Sequence, residues 1–132
     1  MRIARSMLDQ IVAQAREEAP NECCGIVGSR DGEAVQLFRA RNARASPLAY
    51  EIDGRDLQRI YDEIDANDLQ VGIIYHSHTR SDPEPSQTDI NLAFYPDAVY
   101  VIVGVAGEED DVRAWRIVDG NVSAASLDVE ES

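Results

Sequence analysis

The amino-acid sequence predicts one α/β domain, a mixed β-sheet flanked by three helices. Three observations lead there. Segments with helical apolar spacing alternate with strand-like apolar runs along the chain. Two Asp-Gly pairs, Asp31-Gly32 and Asp119-Gly120, each lie between strand-like runs and read as hairpin turns, so the sheet cannot be wholly parallel. The valine-rich run from Ala98 to Val105 is continuously apolar, the mark of a central strand covered on both faces.

Met7, Leu8, Ile11, Val12 and Ala15 recur at helical spacing, with Ser6 as the expected cap and Pro20 as the stop, which predicts a helix over 6–19. Strands are expected at Gly25–Gly28 and Ala34–Phe38, joined through Ser29–Gly32. After the polar, irregular stretch from Arg39 to Pro47, a short strand is expected over Ala49–Ile52. Asp53 can cap a second helix whose stripe of Leu57, Ile60, Tyr61 and Ile64 runs to about residue 67. A strand follows over Val71–His78, then a loop from Thr79 to Pro85 with two prolines, expected to be mobile. A third helix is expected from Ser86 to Phe94, before Pro96. The chain then closes with the central strand and a hairpin, Val112–Val118 and Val122–Leu127. The domain is expected to span residues 1–127, with 128–132 as a frayed acidic tail.

The chain of 132 residues carries a formal net charge of −13 and no lysine. Such acidity argues against binding a phosphate backbone, which needs a concentrated positive surface. It suits a solvated surface, and a halophilic source could also favour it. The missing lysines exclude a lysine Schiff base. No apolar run approaches the roughly 18 residues that span a membrane, and the N-terminus lacks signal-peptide character. Cys23 and Cys24 are adjacent and the only cysteines, which rules out a disulfide framework within the chain. A cytoplasmic location is expected.

The two histidines of the chain are His76 and His78, at the end of an apolar strand. Residues i and i+2 of a strand share a face, so both imidazoles can converge on one point. Ser86 and Asp89 complete a run reading His-x-His-x7-Ser-x-x-Asp, and Asp89 can add an oxygen to the two nitrogens. Two nitrogens and a carboxylate form an open zinc site. Plainer readings stand beside this one. Histidines at a strand end can be polar residues at the core edge, and Ser86-Gln87-Thr88-Asp89 is a capping box. Hydrolysis also needs a proton acceptor. Glu22, at the entrance of the first apolar strand, is one of many carboxylates that could overhang the site.

With Glu22 added, the pattern resembles that of the JAMM (MPN+) zinc metallopeptidases: a glutamate followed at a distance by His76-x-His78-x7-Ser86-x-x-Asp89. The resemblance covers about residues 2–118. It implies the JAMM/MPN fold, which is cytidine deaminase-like, and zinc held by His76, His78 and Asp89 with water as fourth ligand. It also implies Glu22 as general base and Ser86 as hydrogen-bond partner of the water or the developing oxyanion. Neither cysteine is expected to be a ligand or nucleophile. Within the family the chain is similar to the short bacterial Mec-type peptidases, on Tyr75–Thr79, Pro85–Asp89 and Pro96–Val101. These imply removal of cysteine from the Gly-Gly end of a ubiquitin-like (β-grasp) sulfur-carrier protein, and so a part in cysteine biosynthesis. The alternatives are an isopeptidase acting on ubiquitin-like conjugates and a non-catalytic MPN scaffold.

Overall fold

The computed structural model describes residues 1–131. Eleven elements follow in order: β1 (Arg2–Ala4), α1 (Arg5–Glu18), β2 (Cys24–Arg30), β3 (Glu33–Ala40), α2 (Gly54–Ala66), β4 (Gln70–His78), α3 (Gln87–Asn91), β5 (Val99–Gly104), β6 (Asp111–Val118), β7 (Asn121–Ala124) and β8 (Asp128–Glu130). The eight strands form one sheet in the order β7-β6-β5-β4-β2-β3-β1-β8. β4 pairs with β5 in parallel, whereas β2 runs antiparallel to both β3 and β4. The sheet is therefore mixed, as the hairpin signals predict. Both Asp-Gly turns have positive φ at both residues, 53° and 76° at Asp31-Gly32, 50° and 80° at Asp119-Gly120. That twist matches the flanking strands.

Side chains alternate across the sheet, and each face is covered. Val27, Ile73, Tyr75, Val99 and Val101 pack with Leu8, Ile11 and Ala15 of α1. Ile26, Ile74 and Tyr100 pack with Ile60 and Ile64 of α2 on the opposite face, where Ile90 of α3 joins them. His76 and His78 continue the Ile74 phase, so both project on the α2–α3 side. The central strands are buried along nearly their whole length.

Several expectations give way. The α1 cap is Ala4, with no side-chain bond, and not Ser6, because the chain enters the helix directly from β1. No strand forms over Ala49–Ile52: one isolated bridge, Asn42 to Ile52, remains, since the Asn42 side chain takes bonds that a neighbouring strand would. Helix α3 stops at Asn91, three residues short of Phe94. The second hairpin arm ends at Ala124, before Leu127. The acidic end does not fray through its described part: Asp128–Glu130 pairs in parallel with β1, and Ser132 lies outside the described residues. The Thr79–Pro85 loop is pinned rather than loose. Trp115 Nε1 donates to the Pro83 carbonyl at 3.0 Å, Arg113 pairs with Glu84, and Thr79 Oγ1 donates to the Pro20 carbonyl at 2.8 Å. Among the described residues no helix is long and apolar enough to cross a membrane.

Candidate metal centre

The site forms where β4 ends beside the start of β2, with α3 closing one side. Register places His76 opposite Cys24, so the residue two before Cys24, Glu22, overhangs the histidines. The structure brings all five expected residues to this corner. His76 Nε2 and His78 Nε2 are 3.1 Å apart, and Asp89 Oδ2 lies 3.1 Å from the first and 3.0 Å from the second. Three polar atoms thus form a nearly equilateral triangle. All three residues are buried.

The capping box is present together with this triangle. Ser86 Oγ accepts from the Asp89 amide at 3.1 Å, and Asp89 Oδ2 accepts from the Ser86 amide at 2.9 Å. The oxygen that faces the histidines is therefore the one oriented by the helix start. Ser86 itself is exposed.

The two histidines differ in their outer contacts. His78 Nδ1 lies 2.7 Å from the Asp82 carbonyl. A carbonyl only accepts, so Nδ1 carries the hydrogen and the Nε2 lone pair points into the triangle. His76 has Tyr50 stacked on its ring at 4.2 Å, and its Nδ1 is buried without a partner. Burial lowers the pKa of His76. For His78 burial acts the same way, but Asp89 and the Asp82 carbonyl outweigh it and the net shift is upward. Burial would raise the Asp89 carboxyl, yet its bonds to the two imidazoles hold it well below the usual carboxylate range.

Glu22 stands apart from the triangle. It is buried, its carboxylate makes no hydrogen bond to either histidine, and Oε1 has no partner. Burial pushes its pKa up to about 7, with the Asp89 charge adding to the rise and His78 opposing it. A Glu22 oxygen and the two histidine nitrogens nevertheless lie within 4.8 Å of one another. Two triads thus share the histidines, a wider one with Glu22 and a tighter one with Asp89. Donors on one ion sit near 3.3 Å apart for bonds of about 2.0–2.1 Å in a tetrahedron, which the Asp89 triangle approaches. An orphaned buried carboxylate oxygen and three converging donors fit a divalent metal better than an empty polar pocket.

Two hollows lie beside Tyr50 and Glu22. An apolar cavity of about 220 Å³ opens behind Tyr50, walled by Ile52, Leu57, Leu92 and Phe94. A cleft of about 300 Å³ adjoins Glu22, lined also by Asn21, Arg41 and Asn42. The cysteines take no part: both are buried free thiols, and burial pushes Cys23 up to about 12. Gly25 next to them has a steric reason, since a Cβ there would run into the Tyr75 ring. Residues not foreseen are Asn42, Tyr50 and Ser77. Ser77, between the histidines but on the other face, accepts from the Cys23 amide at 2.8 Å and donates its own N–H back to the Cys23 carbonyl at 3.2 Å.

Known proteins resemble this chain over most of its length. The family described as prokaryotic homologs of the JAB domain matches residues 4–118. The CysO-cysteine peptidase of Mycobacterium tuberculosis is 33% identical over 132 residues, covering 98% of this chain and 90% of that protein. The desampylase of Haloferax volcanii is 39% identical over 113 residues, covering 80% and 81%. Among solved structures, protein DSY2949 of Desulfitobacterium hafniense superimposes with a TM-score of 0.88 at 25% identity, over 100% of this chain and 94% of that one. The chain therefore belongs to the prokaryotic JAB family, with the JAMM/MPN fold, and is a hydrolase of the metallopeptidase class.

Proposed function

We propose that the protein is a zinc peptidase that hydrolyses the amide bond after the C-terminal Gly-Gly of a ubiquitin-like sulfur carrier, releasing cysteine. The observation that carries this reading is the triangle of His76 Nε2, His78 Nε2 and Asp89 Oδ2, with sides of 3.0–3.1 Å and a buried glutamate beside it. Nitrogen and carboxylate donors in that number leave a tetrahedral ion one open position, the arrangement of catalytic rather than structural zinc. His76, His78 and Asp89 would hold the ion. Zinc bound there would polarise the scissile carbonyl and bring the pKa of a water molecule down to about 7.

The chain's own residues supply the proton traffic. Glu22, unpartnered and held in a low-dielectric corner, takes the proton of the attacking water and passes it to the leaving amine. Its raised pKa suits this exchange, because a base near neutrality both accepts and releases a proton readily. The Ser86 hydroxyl, at the exposed rim, donates to the oxygen on which charge develops, while its own oxygen accepts from the Asp89 amide. Asp82 keeps His78 in the tautomer whose Nε2 is free.

The substrate assignment rests on similarity to the CysO-cysteine peptidase over nearly the whole chain. One residue next to the site has its backbone groups unused. Tyr50 makes no backbone hydrogen bond within the described residues, while its ring lies on His76. A tail adding there as a strand would be led past the donors, and glycines would let its backbone approach closely. The free thiols of Cys23 and Cys24 fit a reducing, cytoplasmic setting. The second reading is cleavage of isopeptide conjugates, favoured by the 39% identity to a desampylase.

One experiment separates them. Zinc-loaded protein is incubated with a β-grasp carrier ending in Gly-Gly-Cys and, separately, with the same carrier joined to a lysine side chain. Product masses are followed with and without a chelator. Chelator-sensitive loss of cysteine from the first supports the proposal. Cleavage confined to the second favours the isopeptidase, and turnover of neither by loaded enzyme sinks both.

A further inference from the structure

Glu22 poses a geometric question. Among the described residues its carboxylate makes no hydrogen bond, so no protein partner at the end of the side chain fixes where it points. Its aim must come from the backbone that carries it, yet Glu22 lies outside any helix or strand. We propose that Asn42 is a positioning residue for Glu22, the amide that locks the base over the metal donors; this rests on the assignment of Glu22 as base.

A side-chain amide offers two N–H donors and an oxygen with two lone pairs. Asn42 uses all four. Nδ2 donates to the Glu22 carbonyl and the Ala49 carbonyl, each at 3.0 Å. Oδ1 accepts from the Arg44 amide at 3.0 Å and the Glu51 amide at 3.1 Å. The orientation is unambiguous, because a flipped amide would set like against like at all four contacts. One arm reaches the base and three arms tie residues 42–51 into a closed loop. That loop returns to the base: the Glu22 amide donates to the Ser46 carbonyl at 2.8 Å. Both peptide groups of Glu22 are thus held by one knotted segment. The same segment ends at Tyr50, whose ring covers His76.

The knot orders little else. Ala43, Arg44 and Ala45 within it are exposed, and of residues 42–51 only Tyr50 is buried in the core. What it does order is the base on one side of the donors and the ring on the other. On the next residue, Ser77 holds Cys23 through two bonds, which leaves Glu22 between two clamps. A displacement of about 1 Å in a reacting group can cost on the order of 100-fold in rate.

The test is a double-mutant cycle on zinc-loaded enzyme, read on the carrier ending in Gly-Gly-Cys by product mass. Asn42→Ala alone is expected to lower kcat 10- to 100-fold, with KM within about twofold and one metal per chain retained. Asn42→Asp keeps the acceptor end and loses both donors, so an equal loss of kcat places the effect on the arms to the Glu22 and Ala49 carbonyls rather than on the acceptor end. In the Glu22→Gln background, where the base is absent, Asn42→Ala is expected to leave the residual rate unchanged within about twofold. Losses that multiply across the two sites, or a raised KM at unchanged kcat, overturn the inference while leaving Glu22 as base. Full turnover by Glu22→Gln alone removes the base assignment, and the inference with it. Should Asn42→Ala fail to fold, Asn42→Asp carries the same cycle.

Discussion

The two halves of the proposed site, donors and base, are built by different means. The donor half sits on regular structure: His76 and His78 share a face of β4, and Asp89 is set by the first turn of α3. The base half sits on irregular chain: Glu22 is held through Asn42, Ser46 and, at its neighbour, Ser77. The donor half inherits its precision from backbone repeats that a strand or helix supplies at no further cost. The base half obtains the same precision from individual side-chain bonds, each of which a single substitution removes. Errors in the first should therefore cost metal, and errors in the second should cost rate with metal kept.

The sharpest break is expected at Asp89. Asp89→Ala removes one donor and one half of the capping box together. Bound zinc after dialysis should fall below about a tenth of the wild-type amount, and turnover should vanish with it. Stoichiometric metal in this variant would mean that the wider Glu22 triad is the ligand set.

A smaller effect tests the rim. Ser86→Ala should keep its metal but lower kcat by about 100-fold, the order seen when an oxyanion donor is deleted. Losing the cap should also cost about 1 kcal/mol, read as a drop of a few degrees in Tm. Unchanged kcat with lowered Tm would leave Ser86 as a cap and nothing more.

The smallest effect has the opposite sign. Burial raises Glu22 from an ordinary 4.5 to about 7, so in metal-free protein its ionisation opposes folding. Stability should decline as pH rises from about 4.5 through 7, and the full cost is present above the folded value. Glu22→Gln should therefore stabilise the metal-free protein at pH 8 by about 1–2 kcal/mol, less than the whole shift converts to because water reaches part of the group. At pH 4 wild type and variant should melt alike. Equal melting at both pH values would show that Glu22 is not held in a desolvating corner.

Legibility in the sequence follows the same division. The strand ending at His76 and His78 was readable because apolar residues run unbroken into it, and α2 because Asp53 and its stripe obey helical spacing. The Ser86–Asp89 cap was readable as a local pattern, and its second face toward the histidines needed the fold. β1 and β8 were not readable: each has three residues, too few to show a period, and each exists through pairing across the length of the chain. Ala49–Ile52 has strand-like residues yet pairs mostly with one amide side chain. Asn42 left no signal, since in a polar stretch nothing marks one asparagine as the one whose four bonds are all used. Glu22 was singled out through its family pattern; a carboxylate aimed by loops has no local signature.

Asp89 Oδ2 has one further consequence. The same oxygen closes the start of α3 and faces both imidazoles, so ion affinity and the order of that helical turn share a single free energy. Loading the ion should slow amide hydrogen exchange at Ser86, whose N–H ends on that oxygen, more than at the buried strand amides of β5. Protein purified without its ion would then show its lesion as a helix start that opens more often, with the sheet behind it unchanged.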